Sequence, residues 1–161
     1  MQAEFGAWSS SRPEYIAMAE VNHGQQLADT VLDNLKYQHD WTELQVLTHS
    51  PTNSQPLVRP MISGLPPRRL YVHPDDQIAM VKSSAVPNGK MFDTPEVEWV
   101  LPTHISEKWT LKAFAAVFDS LPAQLSPHPE RPKRIVLATI HADSTIVYYL
   151  IHDGIVKPRQ N

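Results

Sequence analysis

The chain contains no cysteine, so disulfide bonds and thiolate metal sites are excluded. It has only 5 glycines among 161 residues. They are too few for a phosphate-cradling loop, and neither a P-loop nor a G-x-G-x-x-G pattern occurs. No apolar run approaches the ~20 residues that a membrane span needs. The first residues, M-Q-A-E-F-G-A-W, lack the charged start and apolar stretch of a signal peptide, so an intracellular protein without membrane insertion is expected. A surplus of positive charge is missing as well. The formal net charge is −3, which argues against a nucleic-acid clamp working by bulk charge. Hydrophobic residues make up 42% and charged residues 19%, a balance that supports a packed core, and the length suits one domain. Proline is the plentiful loop-former, at 15 residues. Its clustering predicts long loops in the middle of the chain.

The most informative stretch runs from Lys133 to Val156. It holds two apolar, β-branched runs, Ile135–Ile140 and Thr145–Ile151, separated by His141, Ala142, Asp143 and Ser144. That pattern predicts a β-hairpin. The first run is apolar almost throughout, as in a strand covered on both faces. In the second, Ile146, Tyr148 and Leu150 should share one face, and Val147, Tyr149 and Ile151 the other. Both faces are apolar, so this strand is either central or covered by something outside the monomer. Asp153-Gly154 marks a further turn, Ile155-Val156 a short extension, and Lys157-Pro158 a stop.

Upstream, Met1–Arg12 is expected to be a flexible segment, and residues 13–161 a single domain. Pro13 suits the first turn of a helix that is interrupted around Asn22-His23-Gly24. A second helix is expected from Gln25 to His39, with Leu27, Ala28, Val31, Leu32 and Leu35 inward and Gln26, Asp29, Asn34 and Lys36 in water. Trp41 should pack over its end. A strand follows from Leu44 to about Ser50. Pro51–Pro67, with five prolines, reads as loop within a proline-rich region reaching to about residue 95. Arg68–His73 reads as a short strand, Gln77–Val81 as strand or helical turn, and Pro87-Asn88-Gly89 as a turn. Val97–Leu101 is a strand expected to stop at Pro102. The last helix is expected from Ser106-Glu107 to Leu121, with Leu111, Phe114, Ala115, Phe118 and Leu121 as its stripe and Trp109 and Val117 beside it. Ser126–Pro132 is a linker. The fold class is mixed α/β (α+β): a mixed sheet flanked by helices and ending in a C-terminal β-hairpin.

Chemistry is harder to find. The eight histidines, His23, His39, His49, His73, His104, His128, His141 and His152, never fall at helical metal-ligand spacing, so surface or loop histidines are expected and no metal site or cofactor. A metal-free ribonuclease needs a base for the 2′-hydroxyl, an acid for the leaving oxygen and a cation for the charged phosphorane. Tyr71 and His73 would place two rings on one face of a short strand, and Lys108 and Lys112 lie on the late helix. A strand end beside Pro74 and solvated lysines are the better explanation, so no catalytic residue is assigned. Arg68-Arg69, Lys133-Arg134 and Lys157/Arg159 are small basic clusters, read as solvated charge.

The run A-D-S-T-I-V-Y-Y-x-x-x-D-G-I-V-x-P, from Ala142 to Pro158, and E-V-x-W-V-L-P-T-H-I-S, from Glu96 to Ser106, resemble the small structural subunit of the eukaryotic, fungal-type tRNA-splicing endonuclease, the Sen-fifteen family. The likeness is carried by Val97–Asn161 and, less closely, by Pro13–Ser50, and not by Pro51–Pro95. It implies a fold like the C-terminal domain of tRNA endonucleases and a non-catalytic role in the complex that removes introns from pre-tRNA. It also implies an interface made of Asp143, Thr145, Ile146, Val147, Tyr148, Tyr149, Leu150, Ile151, Asp153 and Gly154. The implied partner is the catalytic subunit Sen-thirty-four and, through it, the other catalytic and structural pair of a heterotetramer. Pre-tRNA would be met indirectly, and the isolated chain could form a homodimer. In the family a short acidic loop before the last strand docks into an opposing subunit; here Asp143 is that loop's only acid. The implied compartment is the nucleus, or the cytoplasmic face of mitochondria in some fungi. The alternatives are a metal-free ribonuclease active in its own right and a self-contained RNA-binding protein.

Overall fold

Apolar side chains at helical spacing bury one face of the first element, α1 (Pro13–Gln38), where Leu27, Ala28, Val31 and Leu35 are all buried. The structure, a computed structural model, describes residues 13–83, 94–122 and 133–154. Helix α1 does not break at Asn22-His23-Gly24 as expected; it is continuous. None of the three residues blocks helical backbone as proline would. An interior glycine costs only about 1 kcal/mol, and Gly24 is buried with the Pro60 ring against it, where an added Cβ would meet Pro60 Cδ at 3.2 Å. Trp41 is buried as expected, and its N–H donates to the Leu35 carbonyl at 3.1 Å.

Among the described residues five strands form one sheet in sequence order, β1 (Thr42–His49), β2 (Pro56–Leu65), β3 (Glu98–His104), β4 (Arg134–Ile140) and β5 (Ile146–His152). All neighbours are antiparallel except β3 and β4, which are parallel. The presence of β2 corrects the expected loop at Pro51–Pro67. Its prolines sit where no ladder bond is needed: Pro56 is its first residue, and Pro60 falls in the shift between Leu47↔Met61 and His49↔Pro56. Likewise β3 runs through Pro102 instead of stopping there. Ile105 N–H donates to Ile140 O across the β3–β4 side. By alternation the Pro102 nitrogen faces β2, whose pairing covers only Glu98–Val100.

Arg68–His73 is not a strand but an irregular crossing, and residues 77–81 are resolved as part of a helix, α2 (Pro74–Ser83). The last helix, α3 (Leu111–Ser120), starts later than expected. Thr110 caps it, accepting from Ala113 N–H at 3.2 Å. Ser106 and Glu107 are occupied elsewhere, as described below. Its buried face is Val117 and Phe118, with Phe114 partly buried and Leu121 just after it; Leu111 is 89% exposed and Ala115 is exposed, so neither belongs to the stripe.

The side-chain alternation of the strands splits the core in two. Val100, Val136, Ala138 and Ile140 face α1 with Ile62. Trp99, Leu101 and Ile135 face α3 with Leu57 and Met61. The apolar run in β4 is thus explained: helices cover both of its faces. The expected turn at Pro87–Gly89, the linker at Ser126–Pro132, the Met1–Arg12 segment and the stretch after Gly154 lie outside the described residues.

Candidate functional site

The C-terminal hairpin forms as the sequence predicts, with seven consecutive pairs from Arg134↔His152 to Ile140↔Ile146 and no register shift. Strand β5 is not central: among the described residues it is an edge, paired only to β4. Its outer N–H and C=O groups form a template for another strand. Thr145, expected in the strand, belongs to the loop, and its carbonyl accepts from His141 N–H at 2.8 Å. Ser144 takes a left-handed conformation, φ 66°, which completes the turn. Asp143 is exposed at the loop tip; the hydrogen bond from Thr145 N–H, 3.0 Å from its Oδ1, holds its carboxyl below the usual range. Asp153 and Gly154 form the bend after β5, and Gly154 has φ 87°, which a side chain would strain.

The two faces of β5 carry the residues expected of them. Ile146 and Tyr148 pack on the α1-side core. Tyr148 donates its hydroxyl to Asn34 Oδ1 at 2.6 Å, and its ring meets His39 edge-on at 5.3 Å. Burial pushes the Tyr148 phenol up to about 12. Asn34, expected in water, is therefore half-buried and functional in the packing. On the opposite face Ile151 touches the α3-side core, Val147 is half-buried, and Tyr149 stands 51% exposed. Leu150 is 38% exposed. Tyr149 is thus a large aromatic exposed on an open edge with unbroken register, and tyrosine is among the residue types that dominate interface energetics.

Two polar constellations bear on catalysis. At one end of the sheet Tyr71 is a hub. The Arg134 guanidinium sits 5.0 Å over its ring, the His152 ring is 5.5 Å away and the His73 ring 6.5 Å, both edge-on. This brings a phenol, two imidazoles and a cation together, which the sequence reading missed for His152 and Arg134. The cation is committed, however: Arg134 pairs with the buried Glu98, and Arg69 with Glu96. Burial pushes the Glu98 carboxyl up, only partly offset by Arg134. The basic pairs Arg68-Arg69 and Lys133-Arg134 are not simply solvated, because Arg69 and Arg134 are half-buried in ion pairs and Lys133 donates to the Phe118 and Leu121 carbonyls at 2.7 and 3.0 Å.

Lys108 and Lys112 lie beyond the opposite end of β3, which at ~3.3 Å per residue is ~20 Å from Arg134 and Glu98. There Glu107 is the centre. It takes Arg59 at 2.6 Å, the Trp109 indole N–H at 3.0 Å and the His104 amide at 3.1 Å. Burial alone would raise Glu107, but Arg59 and these donors outweigh it and hold the carboxyl below its ordinary value. Among the described residues no group of three or more His, Asp or Glu could hold a metal ion.

The family model described as Sen15 protein matches residues 30–161. A Neurospora crassa protein named probable tRNA-splicing endonuclease subunit tsp-1 is 46% identical over 160 residues, covering 89% of this chain and 70% of the relative. The Eremothecium gossypii tRNA-splicing endonuclease subunit SEN15 is 30% identical over 139 residues, covering 84% and 91%. A Schizosaccharomyces pombe protein named probable tRNA-splicing endonuclease subunit sen15 is 29% identical over 135 residues, covering 80% and 78%.

Proposed function

The chain belongs to the Sen15 protein family, and from that premise we propose that it is a non-catalytic structural subunit of the tRNA-splicing endonuclease, the complex that removes introns from pre-tRNA. Its task is assembly. The observation that carries this reading is β5: an unbroken, open edge with Tyr149 and Leu150 exposed. A catalytic subunit of the Sen-thirty-four type extends the sheet across this edge and covers Tyr149. The Asp143 loop reaches toward the opposing pair of subunits in the heterotetramer.

The non-catalytic reading is supported by the separation of Tyr71 and His73 from Lys108 and Lys112, and by Arg134 being bound to Glu98. Pre-tRNA is met through partners, since the chain is mildly acidic, and the compartment is the nucleus. Co-expression with a candidate catalytic subunit followed by size-exclusion chromatography tests assembly. Co-elution is expected, and independent elution of two stable proteins would refute it. Purified alone, the chain should leave pre-tRNA intact and bind it weakly. A complex carrying Tyr71→Phe with His73→Ala should cleave normally. Specific cleavage by the lone chain, abolished by those two changes, would establish the ribonuclease reading instead.

A further inference from the structure

The crossing at residues 68–73 has no ladder of its own, so side chains hold it to the sheet. We propose that His152, His73 and Arg134 form an acid-sensitive latch around Tyr71: the crossing seats on the end of the β4–β5 hairpin while His152 is neutral, and loosens when His152 takes a proton.

The geometry sets the requirement. Arg134 and His152 are cross-strand partners at the end of the hairpin, and Tyr71 reaches both, 5.0 Å from the guanidinium and 5.5 Å from the imidazole. A third basic group, His73, approaches the same ring at 6.5 Å. The charges around them divide unevenly. Arg134 is offset by Glu98 of β3, and Arg69 of the crossing by Glu96. His73 has the Asp75 carboxylate of α2 at 3.5 Å from its Nδ1, with Asp76 next along the helix. Lys133 is turned to the end of α3, and Asp153 uses its N–H on the Lys133 carbonyl. His73 Nδ1 also accepts from the Asp75 amide at 3.2 Å, so that nitrogen is engaged within its own turn, whereas a proton on His152 meets mainly Arg134 and His73.

The sign follows. Burial first, then Arg134 and His73, hold His152 below its ordinary value of 6.5. A base whose folded value is lowered leaves stability unchanged above the unfolded value and removes it as pH falls below that, toward the folded value. The loss is local, because the contacts that protonation opposes belong to the crossing and the hairpin end.

The test is amide exchange and histidine NMR on the full chain between about pH 7.5 and about pH 5.5, the range in which imidazoles titrate. After correction for intrinsic chemistry, exchange of the Ile151 and Asp153 amides, which face β4, should rise severalfold at the acid end, while the centre of β4 is unaffected. His152 should titrate below the ordinary imidazole value of 6.5. His152→Gln should remove the acid-dependent rise, and His73→Gln should keep it while shifting it to higher pH. An ordinary or raised His152 titration, or an acid-dependent rise that persists in the His152→Gln protein, overturns the latch. The wild-type titration decides the matter even where a variant folds poorly.

Discussion

The sheet has two edges, and they are built in opposite ways. Strand β1 pairs with β2 through two register shifts, one between Thr42 and Gln45 and one between Leu47 and His49. The residues at its start, Asp40 and Glu43, take left-handed conformations, φ 55° and 52°. Its exposed side chains are Thr42, Glu43, Gln45, Thr48 and His49. The shifts and left-handed residues bend the edge and the exposed side chains keep it polar, which discourages pairing with a stray strand. Strand β5 has no register shift and no left-handed residue within it. Its seven pairs are in register and its exposed residues are Tyr149 and Leu150. A free monomer gains nothing from an open apolar edge, which is an aggregation hazard. Its retention on one side of a sheet that blunts the other favours a partner for β5.

The sharpest way to break that comparison is on β5 itself. Tyr148→Ala should cost about 3 kcal/mol of stability, because it removes a ring packed on the α1-side core and strands the Asn34 acceptor. Tyr149→Ala should leave the melting temperature nearly in place, since the ring is 51% exposed. It should instead weaken binding to the catalytic subunit by about 2 kcal/mol. Thermal melts beside pull-downs check both. If Tyr149→Ala melts as low as Tyr148→Ala and the folded fraction binds the partner normally, β5 is only core.

How far these differences could be read in advance depended on periodicity. The hairpin and the inward face of α1 were legible, because Ile135–Ile151 and Leu27–Leu35 repeat at strand and helix spacing. Strand β2 was not, because prolines masked the run: Pro56 is its first residue, Pro60 falls in a register shift and Pro66 lies just past its end. The start of α3 was missed because Ser106-Glu107 looks like a helix opening, while Glu107 is taken by Arg59 and Trp109 and Ser106 by His104. Side-chain partners far apart in sequence leave no periodic trace. The same holds for Asn34 with Tyr148, and for Arg134 with Tyr71. That β5 is an edge was invisible too, since an apolar strand reads alike at the centre of a sheet and at an interface.

The β2 side of the sheet is tied to the turn before α3 by charge, so it should respond to acid where the Tyr148 contact does not. Glu107→Gln should cost about 1.5 kcal/mol by weakening charge-assisted bonds to Arg59. The Glu107 carboxyl is held below its ordinary 4.5. Its contribution is therefore complete above that value and lost as pH falls through the lower folded value. Melting curves of wild type and Glu107→Gln should converge on acidification through this range. Curves that stay equally separated down to full protonation would show that Glu107 acts by shape and not by charge.

The smallest effect is expected at β1. Gln45→Tyr places an exposed aromatic on the other edge, next to the first register shift. If exposed aromatic surface alone made an interface, this change would create a second one, visible as self-association in size-exclusion chromatography or as tighter partner binding. It should do neither. Stability should change by no more than about 0.5 kcal/mol, as for most surface substitutions. The reason lies in the backbone: an incoming strand needs several evenly spaced donors and acceptors in line, and β1 is interrupted on both sides of the Gln45–Leu47 segment. New association through β1 would mean that side-chain chemistry outweighs edge geometry, and the contrast with β5 would then rest on Tyr149 and Leu150 alone.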